Sequence, residues 1–222
     1  MSVAGQLHRI KAGLPVSVKL AAVSKFHPVE AIREAYEAGH RLFAENRVQE
    51  LVEKQLQLPA DVEWHFIGHL QANKVKYIVP FVAMIQSVDS EKLLNEIDRC
   101  AGKNNRKIKV LLQIHIAQEE HKFGFSFEEA EDATQKYING KWPNIQICGL
   151  MGMATFTENQ AEIRKEFASL RSFFNQLKNS YFIDNENFKE ISMGMSDDYP
   201  VAVEEGSTIV RIGSKIFGQR NY

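Results

Sequence analysis

Cysteine is scarce: there are two in 222 residues, Cys100 and Cys148, far apart in the chain. A disulfide-framework protein is thereby excluded, and a reducing, cytoplasmic compartment is expected. Cys148 falls within an apolar strand-like run and reads as a buried thiol. An excess of charge of either sign is also missing, since 27 basic residues face 28 acidic ones for a net charge of −1. That balance argues against nucleic acid or an anionic membrane surface as the main partner. The one basic cluster, Lys103 to Lys109 with Arg106 and Lys107, sits in an asparagine-containing turn and reads as a solvated connection. No apolar run reaches the roughly 18 residues needed to span a bilayer, and the N-terminus lacks the apolar stretch of a signal peptide. Three motifs are absent as well. Without Gly-x-Gly-x-x-Gly, a dinucleotide fold loses its fingerprint. Without His-Glu-x-x-His, the pair His65 and His69 gives no zinc site. Without Gly-x-Ser-x-Gly, Ser24 is no hydrolase nucleophile.

What the chain does have is alternation. Short apolar runs near 17–25, 41–46, 62–68, 84–89, 107–116, 145–155, 190–195 and 209–214 read as strands. Amphipathic stretches near 28–39, 47–58, 73–81, 90–102, 126–140, 158–180 and 198–206 read as helices, with a short one after Ser214. Local chemistry marks the boundaries. Ser90 suits an N-cap, Ser126-Phe-Glu-Glu129 is a capping-box pattern, and Gly39, Gly140 and Gly206 suit positions just past helix ends. Strand–helix repetition implies parallel strands with helical crossovers. Eight units predict a closed (β/α)8 barrel, an α/β fold compact beside the usual length of about 250 residues. The open doubly wound sheet is the main structural rival. Residues 1–222 are expected to form a single barrel domain, with the stretch Met1–Val16 as a helical barrel cap.

In such a barrel the C-terminal strand ends collect at the active face. They carry Lys25; Glu45 and Asn46; Gly68 and His69; Ser87 and Asp89; His115; Met153 and Thr155; Met195 and Ser196; and Arg211, Gly213 and Ser214. Lys25 stands out because it closes an apolar strand just before Pro28. A lysine there is costly unless it is paired, neutral or covalently used, and a neutral amine can attack a carbonyl. The loops after the last two strands resemble the phosphate sites frequent in this fold. Gly213 permits close backbone approach, and the hydroxyls of Ser196 and Ser214 can bind an anion. A Schiff-base lysine facing a phosphate cradle describes a pocket for pyridoxal 5′-phosphate (PLP). Asp197-Asp198 reads as the start of the next helix. The alternating Met151/Met153 and Met193/Met195 read as core filler, with contact of one of them to a ring face as the alternative.

Several motifs then point together. They are Ala22-Val-Ser-Lys25, Glu45-Asn-Arg-Val-Gln-Glu50, Trp64-His-Phe-Ile-Gly-His-Leu-Gln71 with Asn73-Lys74, Gly149-Leu-Met151, Ser192-Met-Gly-Met-Ser-Asp197, and Gly206-Ser-Thr-Ile-Val-Arg-Ile-Gly213 with Ile216-Phe-Gly218. In this order the chain resembles the PLP-binding homeostasis proteins of the YggS/PROSC type, the group like the N-terminal domain of alanine racemase. The resemblance implies a fold-type III PLP barrel without the C-terminal β-domain. It implies that Lys25 carries PLP, that Arg211 faces the pyridine nitrogen, that Ser196, Gly213 and Ser214 bind the phosphate, and that Asn46 lines the pocket. It also implies that Lys122 influences PLP exchange from outside the pocket. Two positions depart from the family pattern: Phe26, where a small polar residue is usual, and His115, where asparagine is common.

An arginine at the ring nitrogen disfavours its protonation and weakens the ring as an electron sink. The chain ends soon after its eighth strand, so the second domain and the tyrosine acid of a racemase are expected to be missing. The expected function is a monomeric carrier or buffer that binds PLP reversibly, takes part in its intracellular homeostasis and delivers it to apo PLP-dependent enzymes. No residue is assigned a catalytic role and no metal site is expected. The alternative is a small PLP-dependent amino-acid racemase or lyase with His69 or His115 as proton donor.

Overall fold

The structure, a computed structural model, describes residues 2–118 and 123–218. Eight parallel strands close into a barrel in sequence order: β1 (Lys19–Val23), β2 (Leu42–Glu45), β3 (Glu63–Phe66), β4 (Met84–Val88), β5 (Ile108–Ile114), β6 (Ile145–Gly152), β7 (Glu190–Ser192) and β8 (Ile209–Ile212). Closure is direct, with Leu20 of β1 opposite Val210 of β8 and Ala22 opposite Ile212. Every run expected to be a strand is one, each ending one to three residues earlier than expected. The trimming has a physical reason, because apolar burial continues past the last ladder hydrogen bond into the loops.

Alternation along the strands divides the apolar side chains into two sets. Ala21, Val23, Leu42, Ala44, Met84, Leu111, Met151 and Ile209 fill the barrel interior. Ala22, Phe43, Trp64, Phe66, Ile85, Val110, Leu112, Ile191 and Val210 face the helices. This parity decides which polar residues point into the barrel and which lie under the helix layer. It shifts by a residue on β4, between Ile85 and Val88, and again on β6, where Cys148 is the extra residue between the pairs Val110–Ile147 and Leu111–Gly149. Burial pushes the Cys148 thiol up to about 11, so it is inert at neutral pH.

The crossovers are α2 (Val29–Glu37), α3 (Val48–Gln55), a 3-10 turn (Ala72–Lys74) running into α4 (Val75–Ile78), α5 (Glu91–Lys103), α6 (Phe127–Ile138), α7 (Gln160–Tyr181) and α8 (Tyr199–Glu204). Ser90 caps α5 by accepting from the Leu93 amide, and Ser126 and Glu129 form the reciprocal capping box of α6. Gly39, Gly140 and Gly206 follow helix ends with φ of 85°, 90° and 90°.

Two expectations change. The N-terminal helix α1 (Val3–Ala12) does not cross an end of the barrel; it packs beside α2 and the single turn α9 (Ser214–Phe217). The last β/α unit has only that one turn, and α1 covers the gap with buried Leu7 and Ile10. The basic cluster is also more than a solvated connection, because the Arg106 guanidinium donates to the carbonyls of Val79 and Val82 after α4. Among the described residues no helix is long and apolar enough to cross a membrane.

Candidate functional site

At the C-terminal end of the barrel lies a cavity of about 500 Å³. Lys25, Asn46, Ser196, Arg211, Gly213 and Ser214, the six residues singled out from the sequence, all line it. Gly68, His69, Gln113 and Phe123 complete much of the remaining wall. His115 and Phe26, the two departures from the family pattern, are not among the lining residues. The fifth strand ends at Ile114, so Gln113 is its last inward-facing residue and lines the cavity, whereas His115, of the same parity, lies past the strand end and does not.

Lys25 stands in a turn closed by the His27 amide donating to the Ser24 carbonyl at 3.0 Å. The next residue, Phe26, has φ 66°, a region that disfavours side chains with a Cβ. Its amide donates to Glu50 Oε1 at 2.6 Å. The Lys54 ammonium on α3 donates to Glu50 Oε1 (2.6 Å), Glu45 Oε1 (2.7 Å) and the Ser24 carbonyl (2.7 Å). Ser24 Oγ donates to the same Glu45 oxygen at 2.6 Å. Both the main chain before Lys25 and the main chain after it are thus tied to one buried ionic network. Burial pushes the Glu45 carboxyl above its ordinary value, with Lys54 and Ser24 opposing. Across from Asn46, Gly68 has no room for a side chain, since a Cβ there would lie 2.2 Å from the Asn46 carbonyl oxygen.

On the far wall Arg211 is buried on β8. It donates to Ser192 Oγ at 2.6 Å and to the Gly152 carbonyl at 2.9 Å. Both acceptors are neutral. Burial brings the guanidinium down to about 10, with Asp198 opposing, so it is still a cation at neutral pH. Beside it, Ser214 Oγ donates to Ser196 Oγ at 3.0 Å, and a Cβ on Gly213 would stand 3.0 Å from the Val23 carbonyl oxygen. Two hydroxyls and a backbone segment bare of side chain therefore share one corner. Asp198 Oδ1 accepts from the Met195 amide and Asp198 precedes α8, as its sequence position suggested.

His69 closes a third side. Its Nδ1 donates to Asp89 Oδ2 at 2.8 Å and its ring stacks on Phe123 at 3.8 Å between centroids. Lys122 lies outside the described residues. Asn46 Oδ1 is buried without a hydrogen-bond partner among the described residues, on the wall of the same cavity. An orphaned acceptor facing a cavity calls for a donor on whatever fills it.

Comparison with known proteins gives a consistent picture. The profile of the family described as alanine racemase, N-terminal domain, matches residues 2–221. The pyridoxal phosphate homeostasis protein of Aquifex aeolicus is 42% identical over 205 residues, covering 92% of this chain and 88% of that protein. The Homo sapiens protein of the same name is 40% identical over 217 residues, covering 93% and 78%. Among solved structures, PipY of Synechococcus elongatus with PLP bound superposes with a TM-score of 0.89 at 40% identity, covering 98% of this chain and all of that one. An alanine racemase from Streptomyces lavendulae shares the fold, with a TM-score of 0.80 at 14% identity, and this chain covers 56% of it.

Proposed function

The chain belongs to the alanine racemase N-terminal domain family, and from that membership and the cavity we propose that it binds PLP and serves its intracellular homeostasis as a reversible carrier. The observation that carries this reading is convergence: an amine, an arginine and a pair of hydroxyls beside Gly213 meet on one cavity. The fit is supported by the orphaned Asn46 Oδ1, by the space that Gly213 leaves against Val23, and by the donor-rich corner formed with Ser196 and Ser214. When bound, PLP supplies an aldehyde that an amine can capture reversibly. Lys25 is the capturing amine, held by a turn whose main chain is anchored on both sides. Ser196, Gly213 and Ser214 hold the phosphate. Arg211, a cation on the far wall, would hold the ring nitrogen and disfavour its protonation, since two positive charges would otherwise meet. Asn46 accepts a hydrogen bond from the ligand. Residues 1–222 act as one binding unit, as a monomer in the cytoplasm, with apo PLP-dependent enzymes as recipients. Relatives named for this role support the reading.

A second reading, a small PLP-dependent racemase or lyase, draws on one observation. His69, oriented by Asp89, stands on the cavity wall where it could move a proton. His115 does not line the cavity and loses that candidacy.

The deciding experiment is PLP titration followed by borohydride reduction and mass mapping. Wild type is expected to carry the reduced adduct on Lys25. The Lys25→Ala variant is expected to lose covalent capture with an unchanged circular dichroism spectrum. A Lys25→Ala protein that still fixes PLP covalently refutes the assignment. Turnover of free amino acids that disappears in His69→Ala would favour the second reading.

A further inference from the structure

The barrel interior holds a hydrogen-bonded chain that starts at the cavity and ends at the opposite face. Arg211 Nη1 on β8 donates to Ser192 Oγ on β7 at 2.6 Å. Ser192 Oγ donates to Gln86 Oε1 on β4 at 2.6 Å. Gln86 Nε2 stands 2.7 Å from His65 Nδ1 on β3, and His65 Nε2 stands 3.3 Å from Glu63 Oε1, which reaches solvent. Ser192, Gln86, His65 and Arg211 are all buried, and strand parity places all four inside the barrel.

The direction of the chain follows from Arg211 at one end and from the orientation of Gln86. A guanidinium can only donate, so Ser192 must accept from Arg211 and send its own proton onward. Gln86 must then turn its carbonyl oxygen to Ser192 and its amide nitrogen to His65. His65 Nδ1 can only accept from that nitrogen, so the ring is neutral with its proton on Nε2, where Glu63 receives it. Every member then has one role; turning Gln86 over would leave the Ser192 hydroxyl proton without an acceptor in a dry interior and would require a second proton on the buried His65 ring.

We propose that Ser192, Gln86 and His65 are positioning residues for the ligand site: together they hold the Arg211 guanidinium in one orientation toward the cavity. The proposal rests on the PLP reading for its consequence. A guanidinium with only neutral acceptors keeps its charge directed at the cavity, and the chain prevents its retreat. None of the three positioning residues lines the cavity, so they act through Arg211 and not by contact.

The test has two arms. In the first, imidazole nitrogen NMR spectra of the protein without ligand are expected to show His65 neutral and protonated on Nε2. A ring protonated on Nδ1 overturns the chain. In the second, PLP is titrated into Ser192→Ala, His65→Leu and His65→Asn, with affinity and the visible absorption maximum as readouts. Losing one hydrogen bond from a buried charged group is expected to weaken binding about tenfold in Ser192→Ala, with a shifted absorption maximum. His65→Leu is expected to do the same. His65→Asn is expected to recover most of the affinity, because Oδ1 restores an acceptor for Gln86; a purely structural role gives no reason for that rescue. Should His65→Leu fail to fold, Ser192→Ala, which removes a single oxygen, decides. Wild-type affinity and absorption in folded Ser192→Ala refute the proposal. Absence of PLP binding in wild type would instead refute the reading under Proposed function, and the NMR arm still judges the chain.

Discussion

Beneath Lys25 the buried polar groups are charged and lie between the barrel wall and α3, whereas beneath Arg211 they are neutral and lie inside the barrel. The ionic set of Glu45, Lys54 and Glu50 grips main-chain atoms, the Ser24 carbonyl and the Phe26 amide. The neutral set of Ser192, Gln86 and His65 grips a side chain. The two jobs differ. On the proposed reading, a lysine that captures and releases an aldehyde needs its main chain fixed. An arginine that must stay still needs its head group fixed. Ammonium and carboxylate groups suit the first task because they hold several backbone partners at once. Neutral groups suit the second because a carboxylate on Arg211 would cancel the charge the site uses.

The sharpest way to break this contrast is Lys54→Met. It leaves Glu45 and Glu50 close together with their shared cation gone. Uncompensated buried charge of this kind costs about 3–5 kcal/mol, expected as a large fall in the urea midpoint. The double variant Glu45→Leu/Lys54→Met removes the buried pair together and is expected to regain most of that loss. Gln86→Leu in the neutral set is expected to cost less, about 1–3 kcal/mol, from an unpaired Ser192 hydroxyl and His65 Nδ1. Equal losses in Lys54→Met and Gln86→Leu would erase the distinction.

Acid separates the two sets by sign. Burial is the main cause that lowers His65, opposed by Glu63 and Glu190, with Lys19 acting in the same direction as burial. The unfolded chain therefore takes up a proton first as pH falls below the ordinary histidine value of 6.5, and His65 withdraws stability on the acid side. Glu45 is raised above 4.5, so its folded carboxyl holds a proton longer than the unfolded one. Its contribution is present below pH 4.5 and is lost as pH rises through the higher folded value. His40, which burial holds at about 4, has the same sign as His65. The measurement is therefore a difference of urea midpoints between wild type and variant. His65→Asn is expected to flatten the acid-side loss, and Glu45→Gln the loss on the rising side. A common sign for both variants would contradict the assignment of causes.

Much of this was legible in the sequence, for identifiable reasons. Parallel strands buried on both faces are continuous apolar runs, and capping residues announce helix ends, so eight strands and their order follow from pattern. Residues at C-terminal strand ends must face the mouth, which is why Lys25, Asn46, Ser196, Arg211, Gly213 and Ser214 line one cavity. The supports were not legible. Gln86 and Ser192 are polar residues three places before the ends of the expected strands 84–89 and 190–195, indistinguishable from ordinary barrel filling. Lys54 lies on an amphipathic helix, where lysine normally means solvent, and only the fold brings it to Glu45. His115 reads as the strand-end residue because the apolar run continues past the ladder; it shares the parity of Gln113, so alternation cannot separate the two, and only the strand's end at Ile114 does. The side position of α1 follows from the brevity of α9, which no local pattern before Val16 reveals.

The smallest expected effect tests the claim that the Lys25 turn is held by its backbone. Phe26 at φ 66° carries a left-handed cost of about 1–2 kcal/mol that glycine avoids. Its ring lies 4.6 Å from the Arg47 guanidinium carbon, a stack worth about 0.5–1 kcal/mol when exposed. Glycine also carries an unfolded-state entropy penalty of about 0.5–1 kcal/mol. These terms nearly cancel, so Phe26→Gly is expected to unfold within about 0.5 kcal/mol of wild type. The Phe26 amide still reaches Glu50 without the ring, so PLP capture by Lys25 should be retained. Glu50→Ala keeps the ring and removes the acceptor, and capture should fall about tenfold as the turn loosens. If Phe26→Gly loses capture as severely as Glu50→Ala, the ring and not the backbone anchor sets the lysine, and the division of labour between the two networks fails on the Lys25 side.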